Sequence, residues 1–186
     1  MSVPCRVAVF LLTVFLMSGR EAHAQTPGAP GPADGWVVAA SLGGWDRVPT
    51  RSGDGHRYGT ALDASIQRSL GPARGGAPAI RVQVGTGSGD GVREPGFNYT
   101  RLLIGLVRNV TSASQAPFTV YASGGGGAYA VRSPRGRDTK PSVYGAIGLD
   151  VALGSTPTSL GAEVQVQSIG GRLYGTTSLG VRLHVP

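Results

Sequence analysis

Cysteine is almost absent from this chain of 186 residues, and the one present, Cys5, lies near its start. Once the first segment is removed, disulfides, thiol chemistry and cysteine metal sites are all excluded. Long apolar runs are equally scarce. The longest, VAVFLLTVFLM from Val7 to Met17, falls short of the roughly 20 residues a membrane helix needs. Arg6 precedes it and Ala22-His23-Ala24 follows, the layout of a secretory signal cleaved before Gln25. Residues 1–24 are therefore expected to be a signal peptide, and the rest can cross a bilayer only with strands. Histidine is sparse: beyond His23 only His56 and His184 remain, too few and too far apart to predict a metal site. Lysine occurs once against sixteen arginines, and the net charge is +7, or +6 without Arg6, Arg20 and Glu21. No motif interleaves aromatic and basic residues as a base-stacking surface would, so nucleic acid is not the expected partner. The acidic partners of an exported chain are lipid headgroups and lipopolysaccharide phosphates, the alternative being a surface merely rich in arginine.

Alternation, by contrast, is abundant. After a Pro/Gly-rich tether at 25–34 (QTPGAPGPAD), residues 35–186 carry eight arms in which apolar and polar positions alternate, the period of a β-strand. They span Trp36 to Trp45, Tyr58 to Arg68, Ile80 to Thr86, Tyr99 to Val110, Phe118 to Val131, Val143 to Leu153, Leu160 to Ser168 and Leu173 to Val185. The second has a helical rival, since Leu62, Ile66 and Leu70 are four apart. The fifth runs through Gly124 to Gly127, where a bend or bulge is expected. Eight strands with no room for crossover helices predict antiparallel neighbours, and closure into a barrel removes the exposed edges.

Which face meets the surroundings is decided by charge. The apolar faces carry only Arg68 and Arg108, at strand ends, whereas the polar faces carry Asp63, Asp150, Glu163, Arg81, Arg101 and Arg182, three of each sign. A soluble barrel needs a charged wall and an apolar core. A small, neutral polar face suits a narrow lumen, and an uncharged Leu/Val/Ile face suits hydrocarbon. The alternative, with the apolar face inward, is a secreted lipocalin-like barrel that holds a small apolar ligand. Long polar links are expected at Asp46 to Arg57, Ser88 to Asn98 and Arg132 to Lys140, with a tight one at Gly170 to Arg172.

The signal, the eight arms and the unequal links resemble the small outer-membrane β-barrels of the OmpA/OmpX type over residues 35–186. The resemblance implies an eight-stranded up-and-down transmembrane barrel in the outer membrane, meeting lipid, lipopolysaccharide and the barrel-insertion machinery. No cofactor and no enzymatic activity are expected, although some small barrels of this kind are lipid-modifying enzymes and an enzyme stands as the third reading. Such barrels usually end on an aromatic residue, whereas this sequence ends Leu183-His184-Val185-Pro186. Its aromatic girdle is thin, with Trp36 and Phe118 expected at one rim and Trp45, Tyr58 and Tyr99 near the other.

Three candidate sites follow. Asp63, Arg81, Arg101, Asp150, Glu163 and Arg182 are expected to form an ion network across the lumen, with Asp150 opposite Glu163; the alternative is that trapped water solvates each charge. Arg132, Arg135, Arg137 and Lys140, around SPRGRDTK, are either a charged hairpin tip or a clamp for lipopolysaccharide phosphates, which Arg grips bidentately. His56 with Ser52 and Asp54 is the one trio resembling a hydrolytic site, and a solvated loop is the preferred explanation of it. An eight-stranded interior is just filled by side chains, so a general porin is not expected.

Overall fold

A computed structural model describes residues 35–47, 57–71, 77–91, 94–110, 118–154 and 156–185. The signal, the tether and the Ser52, Asp54 and His56 trio lie outside these residues. Eight strands follow in order: β1 (Trp36–Arg47), β2 (Arg57–Ser69), β3 (Ala79–Gly91), β4 (Glu94–Asn109), β5 (Phe118–Ser133), β6 (Gly136–Ala152), β7 (Thr158–Ile169) and β8 (Arg172–Val185). Each is hydrogen-bonded antiparallel to the next, and β1 pairs with β8 from Trp36↔Val185 to Arg47↔Tyr174, closing the barrel. The second arm is a strand throughout, in register with β1 from Trp36↔Arg68 to Asp46↔Tyr58. Its apolar positions 62 and 66 serve the two-residue period as well as the helical one, and pairing on both edges selects the strand.

The upper end carries the β1–β2, β3–β4, β5–β6 and β7–β8 connections; β1 starts and β8 finishes at the lower end. Two links expected to be long loops are strand instead. β5 and β6 continue to Ser133 and Gly136 and close on the two-residue turn Pro134-Arg135. β3 and β4 reach Gly91 and Glu94, with their one register shift between Gly89 and Gly91. The described outward positions there are polar, proline or glycine, so they lack the outer apolar stripe that marks the arms, yet their backbone groups still complete the ladder. The β7–β8 link is tight as expected, with Gly170 and Gly171 at φ of 55° and 82°, the conformation of a type I′ hairpin turn.

The expected bulge at Gly124 to Gly127 is absent, and β5 stays in register with both β4 and β6. These glycines serve close packing: a Cβ on inward Gly125 would lie 2.1 Å from the Ile104 carbonyl oxygen and 2.5 Å from the Gly105 Cα.

The apolar faces point outward. Among the described residues 25 large apolar side chains are exposed, including Leu42, Leu62, Ile104, Ile147, Val164 and Leu179. A water-soluble monomer does not leave so continuous a belt uncovered. The interior is polar below and aromatic above. Trp45, Tyr99, Leu103, Tyr129 and Tyr144 form the upper core, with Ala79, Val107 and Tyr121 beneath. An inward apolar face, the requirement of the lipocalin-like alternative, is not what the strands present.

Candidate functional site

Odd positions of β2 to β5 and β7 and even positions of β6 and β8 point into the barrel, which brings all six expected lumen charges inside. They form two layers. In the upper layer Arg101 holds Asp63 bidentately, with Nε to Oδ1 at 2.8 Å and Nη2 to Oδ2 at 2.6 Å. Its Nη1 donates to the Tyr129 hydroxyl at 2.8 Å and to Gln167 Oε1 at 3.4 Å. Tyr129 also donates to Gln167 Oε1 at 2.5 Å, and Gln167 Nε2 reaches Thr176 Oγ1 at 3.2 Å. Asp63 and Arg101 are fully buried, and every charge-bearing atom of the pair is engaged, as a buried charge requires.

The lower layer is built on two arginines, two acids and a tyrosine. Arg81 Nη1 lies 2.6 Å from Glu163 Oε2, and the Tyr121 hydroxyl donates to the same oxygen at 2.7 Å. Arg182 reaches Asp150 Oδ2 at 3.0 Å and Glu163 Oε2 at 3.8 Å, and donates to the Tyr121 hydroxyl. Both guanidinium groups also lie over the Tyr121 ring, Arg182 at 4.3 Å and Arg81 at 5.1 Å, where the ring's quadrupole favours a cation.

Two features differ from the sequence expectation. The six charges make two clusters rather than one network, with Asp63 and Arg101 apart from the other four. Asp150 is not opposite Glu163: the register pairs Asp150 with Gly161 and Gly148 with Glu163. The β6–β7 turn, in which Leu153 N bonds to the Thr158 carbonyl, sets this register and offsets the two acids. Glycines take the facing places and leave room for larger groups. A Cβ at Gly148 would lie 2.0 Å from the Tyr121 ring, and one at Gly85 would lie 1.8 Å from Asp63 Oδ1. Between the layers a cavity of about 30 Å³ touches Asp63, Arg81, Gln83, Glu163 and Arg182. It has room for a water beside Arg81 Nη2 and Gln83 Oε1, which have no protein partner among the described residues.

Tyr121 and Tyr129, which the sequence reading did not single out, are central to the two layers. Their signal is parity: on β5 they alternate with Ala122, Ala128 and Ala130, and so fall on the face of the lumen charges. The same parity corrects the girdle. Trp45 and Tyr99, expected at a rim, are each only 6% exposed and lie inside the upper barrel. Trp36, Tyr58 and Phe118 do face outward, and the Arg68 guanidinium covers Trp36 at 4.9 Å.

The basic turn also divides. Arg132 and Arg137 are register partners on the outer face of the β5–β6 hairpin, and Arg135 sits at its tip. Lys140 is on the opposite face, turned to the barrel mouth and 3.2 Å from Asp138. The four do not form one clamp, because a strand sends neighbouring residues to opposite sides.

No family model and no curated protein matches this chain. Solved structures do. Neisserial surface protein A (NspA) superposes with a TM-score of 0.55 at 15% identity, over 80% of this chain and 96% of that one. OprG from Pseudomonas aeruginosa gives 0.53 at 8% identity, over 82% and 94% of the two chains. The N-terminal β-barrel domain of Pseudomonas aeruginosa OprF gives 0.53 at 15%, over 82% and 98%. With strand number, closure and outward apolar belt in agreement, the chain has the fold of the small eight-stranded outer-membrane β-barrels.

Proposed function

We propose that the protein is an integral outer-membrane barrel with a filled lumen, serving envelope structure or surface contact rather than catalysis or general diffusion. The observation that carries this is the inversion of faces, with an apolar belt outside and paired charges within. The upper end then faces outward from the cell and the lower end faces the periplasm. His184, which sits by Ser159 at 3.4 Å near the lower end, has no acid partner among the described residues and supplies no triad.

The hairpin arginines supply a specific contact. On β4 and β5 the outward apolar positions give way above Leu102 to Thr100 and then to Asn98, the register partner of Arg132. Arg132 and Arg137 therefore lie side by side one outward step, roughly 7 Å along the strand, above the first polar position. That is the depth of headgroup phosphates. Two adjacent guanidinium groups without an acid between them repel each other and are relieved by a shared anion. The contact is with lipopolysaccharide phosphates of the surrounding leaflet.

Fractionation tests the reading. The protein should need detergent for extraction and should run faster on a gel unboiled than boiled. Recovery in the soluble periplasmic fraction would overturn it.

A further inference from the structure

We propose that the upper mouth of the barrel is a binding site for a small aromatic monocarboxylate, held ring-first above the Arg101–Asp63 layer. The inference goes beyond the structural role above and does not depend on the hairpin arginines.

A cavity of about 200 Å³ opens there. Dry cavities of about 150 Å³ accept a benzene ring, so one ring with small substituents fits and a two-ring ligand does not. The walls are rings: Trp45 stands 5.4 Å from Phe97, 5.8 Å from Tyr174 and 6.3 Å from Tyr99, at tilted or edge-on angles. Such a cluster offers both faces and edges to one more ring, the arrangement aromatic pairs prefer.

The floor argues against a sugar, which also packs on aromatic faces. Arg101, Tyr129 and Gln167 bond to one another and to Asp63 and Thr176. Hydroxyls pressed on that floor would lose water and find few partners, and each unpaired polar group is costly. Trp45 Nε1 is a lone buried donor in the wall with no partner among the described residues, and charge appears only at the mouth. Lys140 is paired with Asp138, whereas Arg172, exposed beside the β7–β8 turn, has no acid partner among the described residues. The cavity therefore has aromatic walls, a closed floor and, among the described residues that line it, one cation without an acid partner. Its complement is a ring carrying a single negative charge.

Trp45 reports on the site. The chain has two tryptophans, so Trp36→Phe leaves Trp45 as the only one. That protein, folded into phosphatidylcholine vesicles, is titrated with 4-nitrobenzoate and with 4-nitrobenzyl alcohol while its fluorescence is followed. Saturable quenching is expected from both, with the carboxylate binding more tightly. Arg172→Gln should weaken the carboxylate by about two- to fivefold, the range of an exposed ion pair, and leave the alcohol unchanged. Val131→Phe and Ile169→Phe, which fill the cavity from two different strands above the apolar belt, should each weaken both probes about tenfold or more. Quenching that rises linearly without saturation overturns the site. So does saturable quenching that both cavity-filling variants leave intact, or equal affinity of the two probes for the Trp36→Phe protein. The last comparison needs neither filling variant to fold.

Discussion

Arg182 faces two acids and a tyrosine at once, and Glu163 accepts from Arg81 and the same tyrosine while pairing with Arg182 at longer range, so neither contribution can be read from one distance. The side chains of Arg182, Glu163 and Asp150 are 11 to 15% exposed; removing one partner from so enclosed a pair leaves the other uncompensated, typically at about 3–5 kcal/mol. The distances rank the couplings. Arg81 is 2.6 Å from Glu163, and Arg182 is 3.8 Å from it but 3.0 Å from Asp150. Urea unfolding in lipid should therefore show Arg81→Ala and Glu163→Ala strongly non-additive, Arg182→Ala and Asp150→Ala likewise, and Arg182→Ala with Glu163→Ala less so. Additivity in the Arg81–Glu163 cycle would mean that the shortest ion pair in the layer has no energetic content. Gly148 supplies a second test at this scale. Its missing Cβ is the space Tyr121 occupies, so Gly148→Ala should destabilise by about 1–3 kcal/mol through overpacking.

At the scale of a strand, parity carries the meaning, and parity is what the sequence makes legible. The opening register of β7 puts Val164 and Val166 out and Gln165 and Gln167 in, and the structure keeps that assignment, with Val164 56% exposed and Gln165 buried. The same rule applied to every residue of β1, β4 and β5 places Trp45, Tyr99, Tyr121 and Tyr129 inside. Reading those aromatics as rim markers by type alone misplaced two of them. What the sequence did not show was strand length: above the belt the outer face turns polar, the apolar stripe that marks each arm ends, and only the paired backbone reveals that β5 and β6 continue. One strand also tests membrane depth. Val164→Arg places a charge at mid-belt and should cost about 2–4 kcal/mol of folding into lipid, whereas Ser168→Arg, on the same outer face four residues higher, should cost about 0–1. Equal costs would remove hydrocarbon from the belt. On the hairpin, Arg132→Gln and Arg137→Gln should each lower lipopolysaccharide binding about two- to fivefold, an effect that fades as salt rises. Lys140→Gln, turned to the mouth, should leave it unchanged. A loss from Lys140→Gln as large as that from Arg132→Gln would restore the single four-residue clamp.

For the molecule as a whole, the barrel reads as three zones stacked along one axis: an aromatic mouth, the Arg101–Asp63 layer, and the four-charge layer around Tyr121. Composition predicted the charge balance of that axis, because three acids and three arginines on inward faces must neutralise one another in so narrow a space. It did not predict the division into two layers, which depends on register across strands distant in sequence: Asp63 and Arg101 meet from β2 and β4, and Arg81 meets Glu163 from β3 and β7. The division has a consequence for permeability. If each layer fills the lumen at its own depth, as the proposed function requires, water has no continuous path unless both are opened. The barrel should therefore be closed to ions in a planar bilayer. Asp63→Ala with Arg101→Ala should leave it closed, since the lower layer remains, and Glu163→Ala with Arg182→Ala should leave it closed for the converse reason. The quadruple variant should conduct, provided its unboiled gel mobility confirms a folded barrel. Conductance in either double variant would show that one layer alone seals the lumen and that the other serves stability without blocking passage.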